Sequence, residues 1–219
     1  MPDVVDFSFG WSPDGTELAF GSESGLYVYD VNTGERRQVA AGPSAGPILW
    51  SPDGTRIAFS FGPLVPFVYG PYANDPEVGV QVLNVVDVRG SEEPRPVSPA
   101  RYPAWSPDGT RLGYVSEGCI TDGWDIYTVG PDGGSPVPLT TTPKTVKEGP
   151  YWSPTGTTIA FSTFGELILL DAESEEQRTL VASGWPETLG RDIHLHGPVW
   201  SPDGRYIQFT AGTAHGICD

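Results

Sequence analysis

The chain has 219 residues, including 28 glycines and 23 prolines, and carries a formal charge of −16 at pH 7 with a pI near 4.3. This length allows one domain with a substantial core, and the acidic surface disfavours nucleic acid because it repels phosphate. No apolar run approaches the roughly 20 residues that span a bilayer, so we expect no membrane insertion, and residues 1–6 lack the basic start and apolar core of a secretion signal.

One pattern, Trp-Ser-Pro-x-Gly followed by Thr or Arg, occurs five times and organises the chain. Its copies are about 40 to 55 residues apart, which is the spacing of repeat architectures. In each copy proline presets φ for a tight turn, and glycine supplies the positive φ that ends the turn. The sequence therefore predicts five equivalent hairpin corners, which begin at Trp11, Trp50, Trp105, Trp152 and Trp200.

A short segment of alternating apolar residues follows each turn. Alternation with β-branched and aromatic side chains predicts half-buried strands rather than helices. These segments are residues 18–20, 57–59, 112–114, 159–161 and 207–209. Each tryptophan carries roughly 150–250 Å² of surface, so we expect every one of the five to lie as a wedge between neighbouring sheets.

The acidic residues of the turns, Asp14, Asp53, Asp108 and Asp203, have two readings. They are either a ring of metal ligands or caps for the backbone N–H groups of their own turns. Thr155 takes the place of aspartate in the fourth copy, which a turn tolerates and a ligand set does not. We therefore expect caps.

The five copies resemble the WD40-like PD40 repeat of the TolB-type β-propellers, and they are similar to repeats in the propellers of tricorn-like and prolyl-oligopeptidase-like peptidases. The resemblance covers almost the whole chain. It implies an all-β fold, a β-propeller of four-stranded antiparallel blades with strands named a to d. It implies no single activity, because such propellers host several functions. Since TolB-like proteins are often exported, it also implies a periplasmic or extracellular location.

On this template residues 1–219 form a single domain of four complete blades and half of a fifth. Strand d of blade two (95–97) and strand a of blade three (102–105) are predicted as separate strands. The inventory indicates either a piece of a six- or seven-bladed ring or an open arc that self-association with a second copy closes. The blades span approximately residues 4–40, 47–97, 102–139, 149–181 and 196–219.

The long connections all fall on one face of the predicted propeller. In an antiparallel blade the a–b and c–d turns lie on one face, and the b–c and d–a connections lie on the other. Long loops on one side of a rigid scaffold are where binding usually occurs. The four longest are residues 62–79, 117–124, 182–195 and 211–219.

Aromatic residues in these loops are candidates for contact with a ligand or partner. Phe67, Tyr69 and Tyr72 lie on a loop stiffened by four prolines, which would suit a peptide or a sugar, unless the rings fold back onto the blade. Trp124 and Trp185 are the candidates from the other loops.

Three polar residues occupy equivalent positions four residues before a repeat tryptophan: Arg101, Glu148 and His196. Strand a lines the channel of a propeller, so we expect this trio at the channel mouth, where it could bind an anion or a metal. His194 alternates with His196, and the two are the candidate metal ligands. Two histidines without a placed third ligand are a weak signal, so we expect solvated polar residues and no cofactor.

Two other features carry no predicted chemistry. Cys119 and Cys218 fall on blades three and five with blade four between them, so we expect two free thiols rather than a disulfide. Residues 42–46 match the G-x-S-x-G pattern of a nucleophile elbow. The pattern lacks the following helix that an elbow requires, so we regard it as a chance match.

The sequence predicts a non-enzymatic scaffold that binds a protein or a small ligand through its loop-rich face. One alternative is a propeller lyase with a divalent metal at the channel mouth. The other is the gating propeller of a prolyl-oligopeptidase-like or tricorn-like peptidase that lacks its catalytic domain.

Overall fold

The computed structural model describes eight segments of the chain, and all regular structure in them is β-strand. Within this described part no helix has the length and apolarity needed to cross a bilayer. The segments are residues 8–42, 44–61, 82–90, 93–116, 124–141, 147–163, 165–182 and 193–213.

The strands follow the predicted blades in chain order, and neighbouring strands pair antiparallel. Blade one contains β1 (Phe9–Trp11), β2 (Glu17–Ser22), β3 (Gly25–Asp30) and β4 (Arg36–Ala41). Blade two contains β5 (Ser44–Trp50), β6 (Arg56–Phe61), β7 (Val82–Asp87) and the first half of β8 (Arg95–Trp105). Blade three contains the second half of β8, then β9 (Leu112–Ser116), β10 (Ile126–Val129) and β11 (Val137–Pro138). Blade four contains β12 (Glu148–Trp152), β13 (Thr158–Thr163), β14 (Glu166–Asp171) and β15 (Gln177–Val181), and blade five contains β16 (Ile193–Trp200) and β17 (Ile207–Thr213).

Strand β8 corrects one predicted boundary, because a single strand replaces the two that we expected at residues 95–97 and 102–105. Its first half pairs with β7 and its second half with β9, so blades two and three share one seven-stranded sheet. The change of partner needs no loop because the backbone bends inside the strand. Tyr102 has φ of 51°, and the register with β9 shifts between Arg101 and Ala104.

The repeat tryptophans join each blade to the one before it. The indole Nε1 of Trp50 donates to Gly10 O at 2.8 Å, that of Trp105 to Leu49 O at 3.0 Å, and that of Trp200 to Tyr151 O at 2.9 Å. Each acceptor is the residue before the tryptophan of the preceding blade. The predicted wedge is therefore confirmed for these rings, and a directional hydrogen bond accompanies the burial.

Trp11 departs from the prediction that all five rings are covered, because its side chain is 53% exposed. No described residue forms a blade on its outer side. The turns repeat this asymmetry. In the first four turns the proline lies about 3.5 to 3.6 Å from the Cβ position of the glycine in the next turn, as between Pro13 and Gly54, whereas Gly15 has no such neighbour among the described residues.

The apolar core is divided among the spaces between blades. One cluster joins blades one and two, a second joins two and three, a third joins three and four, and a fourth joins four and five. The a strands contact one another in succession from β1 to β16. They are therefore the inner strands, and strand d of each blade lies outermost.

Candidate functional site

On the turn face, which carries the a–b and c–d turns, the aspartates of the repeat turns accept hydrogen bonds from residues of their own turns. The Oδ1 of Asp53 accepts hydrogen bonds from Ser51 Oγ at 2.6 Å, Thr55 N at 3.0 Å and Thr55 Oγ1 at 2.9 Å. These bonds, led by the one from Ser51, lower the pKa of Asp53 below its ordinary value. The same arrangement recurs at Asp14, Asp108 and Asp203, so the prediction that these aspartates cap their own turns is confirmed.

On the opposite face, which we call the b–c face because it carries the b–c and d–a connections, the inner strands contain a repeated irregularity. The register shifts after Arg101, Glu148 and His196, each of which precedes a residue of positive φ and then a proline. These three residues pair with Val115, Ser162 and Thr210 of strand b. The predicted equivalence of the trio is therefore confirmed at the backbone.

Arg101 and Trp124, two of the predicted site residues, are in contact. The guanidinium carbon of Arg101 lies 5.2 Å from the centre of the Trp124 ring, within the range of a cation–π interaction. Trp124 is buried in the cluster between blades three and four, and Tyr102 packs against the same cluster. Arg101 is half-buried, so the indole holds a cationic group in place at the edge of solvent.

Lys147 is a functional candidate that sequence reasoning missed. Its side chain is 1% exposed, and its Nζ donates to Trp124 O and to Asp125 Oδ1, both at 2.9 Å. Asp125 Oδ1 also accepts from Thr140 Oγ1 at 2.6 Å. A buried lysine is rare unless its charge is paired, and these bonds tie the residue before β12 of blade four to the two residues before β10 of blade three.

Glu148, the next predicted site residue, begins β12 directly after Lys147. Burial raises the pKa of the Tyr151 hydroxyl, and the charge of Glu148 raises it further. The Tyr151 side chain packs against the cluster between blades four and five.

The remaining predicted residues are only partly located. The backbones of His194 and His196 lie in β16, opposite Gly212 and Thr210. Phe67, Tyr69, Tyr72, Trp185, Cys119 and Cys218 lie outside the described residues. Within the described segments, no group of three His, Cys, Asp or Glu side chains is arranged to hold a metal ion.

A short sequence signal could have located the bulges. In blades three to five the segment before the repeat tryptophan reads x-Gly-Pro-x-Trp, with tyrosine replacing the glycine once, and in blade two Gly46-Pro47 lies one residue further from Trp50. Proline has no N–H to donate, and the residue before it adopts a positive φ. Together these two features interrupt the hydrogen bonds between strands a and b. No comparable pattern marks Lys147, because its partners Trp124 and Asp125 are distant in sequence.

No protein-family model matches the sequence, and no curated protein matches it. Solved structures do match the fold. A putative TolB from Agrobacterium tumefaciens aligns with a TM-score of 0.65 and 22% identity over 96% of this chain and 71% of its own. An oligogalacturonate lyase in complex with manganese aligns with a TM-score of 0.63 and 18% identity over 90% of this chain and 56% of its own.

A putative dipeptidyl aminopeptidase IV from Bacteroides ovatus aligns with a TM-score of 0.62 and 13% identity, over 93% of this chain and 36% of its own length. The chain therefore spans between about a third and about 70% of these proteins. At such identities the likeness shows the fold alone. It confirms the β-propeller fold that the Trp-Ser-Pro repeat predicted, and the TolB-like protein has this fold.

Proposed function

We propose that the chain is a non-enzymatic propeller scaffold that binds a protein or a small-molecule ligand through the b–c face of blades three and four. The binding site is centred on Arg101, Trp124 and Glu148, with Lys147 and Asp125 beneath it. The observation that carries the proposal is the Arg101 guanidinium held over the buried Trp124 ring.

The contrast between the two faces supports this choice. On the turn face the aspartates already accept hydrogen bonds from their own turns, so binding there would have to replace contacts that the fold uses. On the b–c face Trp124, over which Arg101 lies, accepts a hydrogen bond through its carbonyl from the buried Lys147, which also pairs with Asp125. A guanidinium fixed in this way loses little side-chain entropy when it binds a carboxylate or phosphate group.

A thermal-shift screen with paired arginine variants tests the proposal. The panel contains carboxylates, phosphate esters, neutral sugars and short acidic peptides, each at millimolar concentration. A ligand at 100 times its dissociation constant stabilises the folded chain by about 2.7 kcal/mol, so a genuine hit is easily seen. We expect Arg101→Gln to weaken the hit about tenfold or more, and Arg178→Gln, on exposed strand β15, to leave it unchanged.

The outcomes separate the two faces. A hit that is equally strong in Arg101→Gln but is lost in Asp53→Asn would place binding on the turn face and contradict the proposal. The absence of any stabilising compound in the panel would also count against it.

The alternative function is metal-dependent lyase chemistry, favoured by His196 lying in β16 at the bulge position equivalent to those of Arg101 in β8 and Glu148 in β12. The matched oligogalacturonate lyase is in complex with manganese. Elemental analysis of the purified chain after incubation with Mn²⁺ decides between the two. Stoichiometric manganese that disappears in His196→Ala would favour the lyase, whereas less than about 0.1 ion per chain would favour the scaffold.

A further inference from the structure

The space between blades two and three shows how one pair of neighbouring blades is closed at its outer side. Arg95 of β8 donates from Nη1 to Asp132 Oδ1 at 2.9 Å, and Asp132 lies in the c–d turn of blade three. Arg56 Nη2 lies 3.1 Å from the same oxygen. A carboxylate thus lies between two guanidinium groups, and the cavity next to them has a volume of about 40 Å³.

The space between blades one and two has the same elements but a different arrangement of charges. The backbone register identifies three pairs of equivalent positions, which are Glu17 and Arg56 at the start of strand b, Arg37 and Arg95 in strand d, and Arg89 and Asp132 in the c–d turn. The turn of blade three supplies a carboxylate to its neighbour, whereas the turn of blade two supplies a guanidinium. Like charges repel, so Arg89 cannot pair with Arg37 in the way that Asp132 pairs with Arg95.

Both arginines of this space have N–H groups that no described residue accepts. Arg37 Nη1 donates to Glu17 Oε1 at 2.8 Å and Nε donates to Val88 O at 3.5 Å, but Nη2 is buried without a partner. The Arg89 side chain is exposed and has no ion-pair partner among the described residues. A buried N–H without an acceptor is unfavourable, so an added acceptor would stabilise Arg37.

The two arginines line an open groove between β4 of blade one and the c–d turn of blade two. Its volume is about 660 Å³, compared with about 40 Å³ in the equivalent place between blades two and three. Both walls belong to blades in which all four strands are described. A concave site of this size fits a small molecule.

The acidic residues of the groove narrow the class of ligand. Asp30 and Glu93 also line it, and neither forms an ion pair with the two arginines among the described residues. These carboxylates would repel a multiply charged anion such as phosphate. A ligand that carries both a carboxylate and an ammonium group instead matches both signs of charge in the groove.

We propose that this groove binds a small zwitterion, an amino acid or a dipeptide with free termini. Its carboxylate lies between Arg37 and Arg89, in the place that corresponds to the Asp132 carboxylate, and it accepts hydrogen bonds from their unused N–H groups. Its ammonium group lies towards the two acidic residues of the groove. The site is separate from the Arg101 site, which lies between other blades.

The probe for this site is the dipeptide alanyl-alanine, titrated into the whole chain and followed by NMR shifts of the backbone amides. We expect a dissociation constant below about 1 mM, with the largest shifts in residues 37–41 and 88–90. The C-terminal amide of the dipeptide should bind about tenfold more weakly or worse, because charge-assisted hydrogen bonds are lost. The N-acetyl derivative should lose about threefold in affinity, and inorganic phosphate should bind more weakly than the dipeptide.

Two variants of the arginines locate the bound carboxylate. Arg89→Asp gives blade two the turn acid of blade three, and the new carboxylate can pair with Arg37 as Asp132 pairs with Arg95. The dipeptide should then no longer bind, while the melting temperature should rise. Arg37→Lys keeps a cation beside Glu17 but removes the guanidinium, and it should weaken binding about tenfold.

Two further variants are controls. Arg36→Asp makes the same change of charge at the neighbouring residue of β4, whose guanidinium carbon lies 4.8 Å from the centre of the Tyr27 ring. It should leave the affinity for the dipeptide unchanged, which excludes a general effect of charge. Arg101→Gln should also leave this affinity unchanged, so failure of this site and failure of the site on blades three and four are distinguishable.

Four results would overturn the proposal. The first three are no binding of the dipeptide, equal binding of its amide, and unchanged affinity in Arg89→Asp. The fourth is binding that is detected only after Glu92→Gln. Glu92 lies outside the described residues, and this result would identify a carboxylate of the chain itself as the occupant of the groove.

Discussion

The repeat tryptophans attach each blade to the one before it, and Trp152 differs from the others in its contacts. Trp152 Nε1 is buried and has no hydrogen-bond partner among the described residues, although Trp50, Trp105 and Trp200 each donate to the preceding blade. The Trp152 ring instead has the guanidinium of Arg111 5.1 Å from its centre. The same residue type at the same repeat position therefore makes two different contacts.

This difference predicts unequal effects of one substitution. Trp50 and Trp152 are both 9% exposed, so replacement by phenylalanine removes similar apolar area from each. Trp50→Phe also leaves Gly10 O without its donor, whereas Trp152→Phe removes an N–H that has no acceptor. We expect Trp50→Phe to lower the free energy of unfolding by about 1–3 kcal/mol more than Trp152→Phe does, as measured by urea denaturation. Equal losses would contradict the role of the indole hydrogen bond.

The turn aspartates predict a dependence of stability on pH. The pKa values of Asp14, Asp53, Asp108 and Asp203 are lowered in the folded chain, first by the serine two residues earlier and then by the backbone N–H after the turn glycine. Because each carboxyl group has a lower pKa in the folded chain than in the unfolded chain, its ionised form stabilises the fold at pH values above the ordinary pKa of 3.8. This contribution is lost as the pH falls through the lower folded pKa.

The fourth copy of the turn provides matched variants for this prediction. Thr155 hydrogen-bonds to Ser153 and Thr157 through neutral hydroxyls, so Asp53→Thr converts the second copy to the fourth, and Thr155→Asp does the reverse. Urea midpoints measured from about pH 5 to about pH 2.5 should fall less steeply in Asp53→Thr and more steeply in Thr155→Asp. If both variants had the same slope as the unchanged chain, the turn aspartates would not contribute to the dependence of stability on pH.

At the scale of the strand, packing between neighbouring blades explains why β9 departs from the repeat. Its second residue is Gly113, where β6 and β13 have Ala58 and Ala160. A Cβ at Gly113 would lie 2.7 Å from Pro150 Cγ and 3.0 Å from Trp152 Nε1 of blade four. The glycine therefore permits the close approach of β9 and β12.

Gly113→Ala tests this close approach. The added methyl group has to displace Pro150 and Trp152, so we expect a loss of about 1–3 kcal/mol in the free energy of unfolding. Gly212→Ala in β17 is the control, because no atom of the described residues lies within 4 Å of the Cβ position there, and it should be neutral or slightly stabilising. Calorimetry of both variants compares them, and a neutral Gly113→Ala would mean that blades three and four are further apart than described.

The sequence predicted most strands because alternation and turn chemistry are local properties. The Trp-Ser-Pro-x-Gly copies located every a–b turn, and the five predicted segments that follow them all lie within strands, which are β2, β6, β9, β13 and β17. The continuity of β8 was missed because it depends on a positive φ at Tyr102, a residue type that rarely adopts one. The burial of Lys147 was missed because it depends on Asp125, in a different blade.

At the scale of the molecule, the described blades form an arc in which each blade presents one face to the next. The contacts that join the blades recur as an indole hydrogen bond and as a proline against a glycine, and among the described residues neither has a counterpart at Trp11 or Gly15. Self-association that covers this end stays a prediction.

Hydrogen exchange of the indole N–H groups, followed by NMR, tests this arrangement most directly. The chain has seven tryptophans, and their indole signals can be assigned by single replacements with phenylalanine. We predict slow exchange for Trp50, Trp105 and Trp200, which donate to the preceding blade, and fast exchange for the exposed Trp11. Fast exchange at Trp50 or Trp105 would contradict the proposed succession of blades, whereas protection of Trp11 that rises with protein concentration would indicate the predicted self-association.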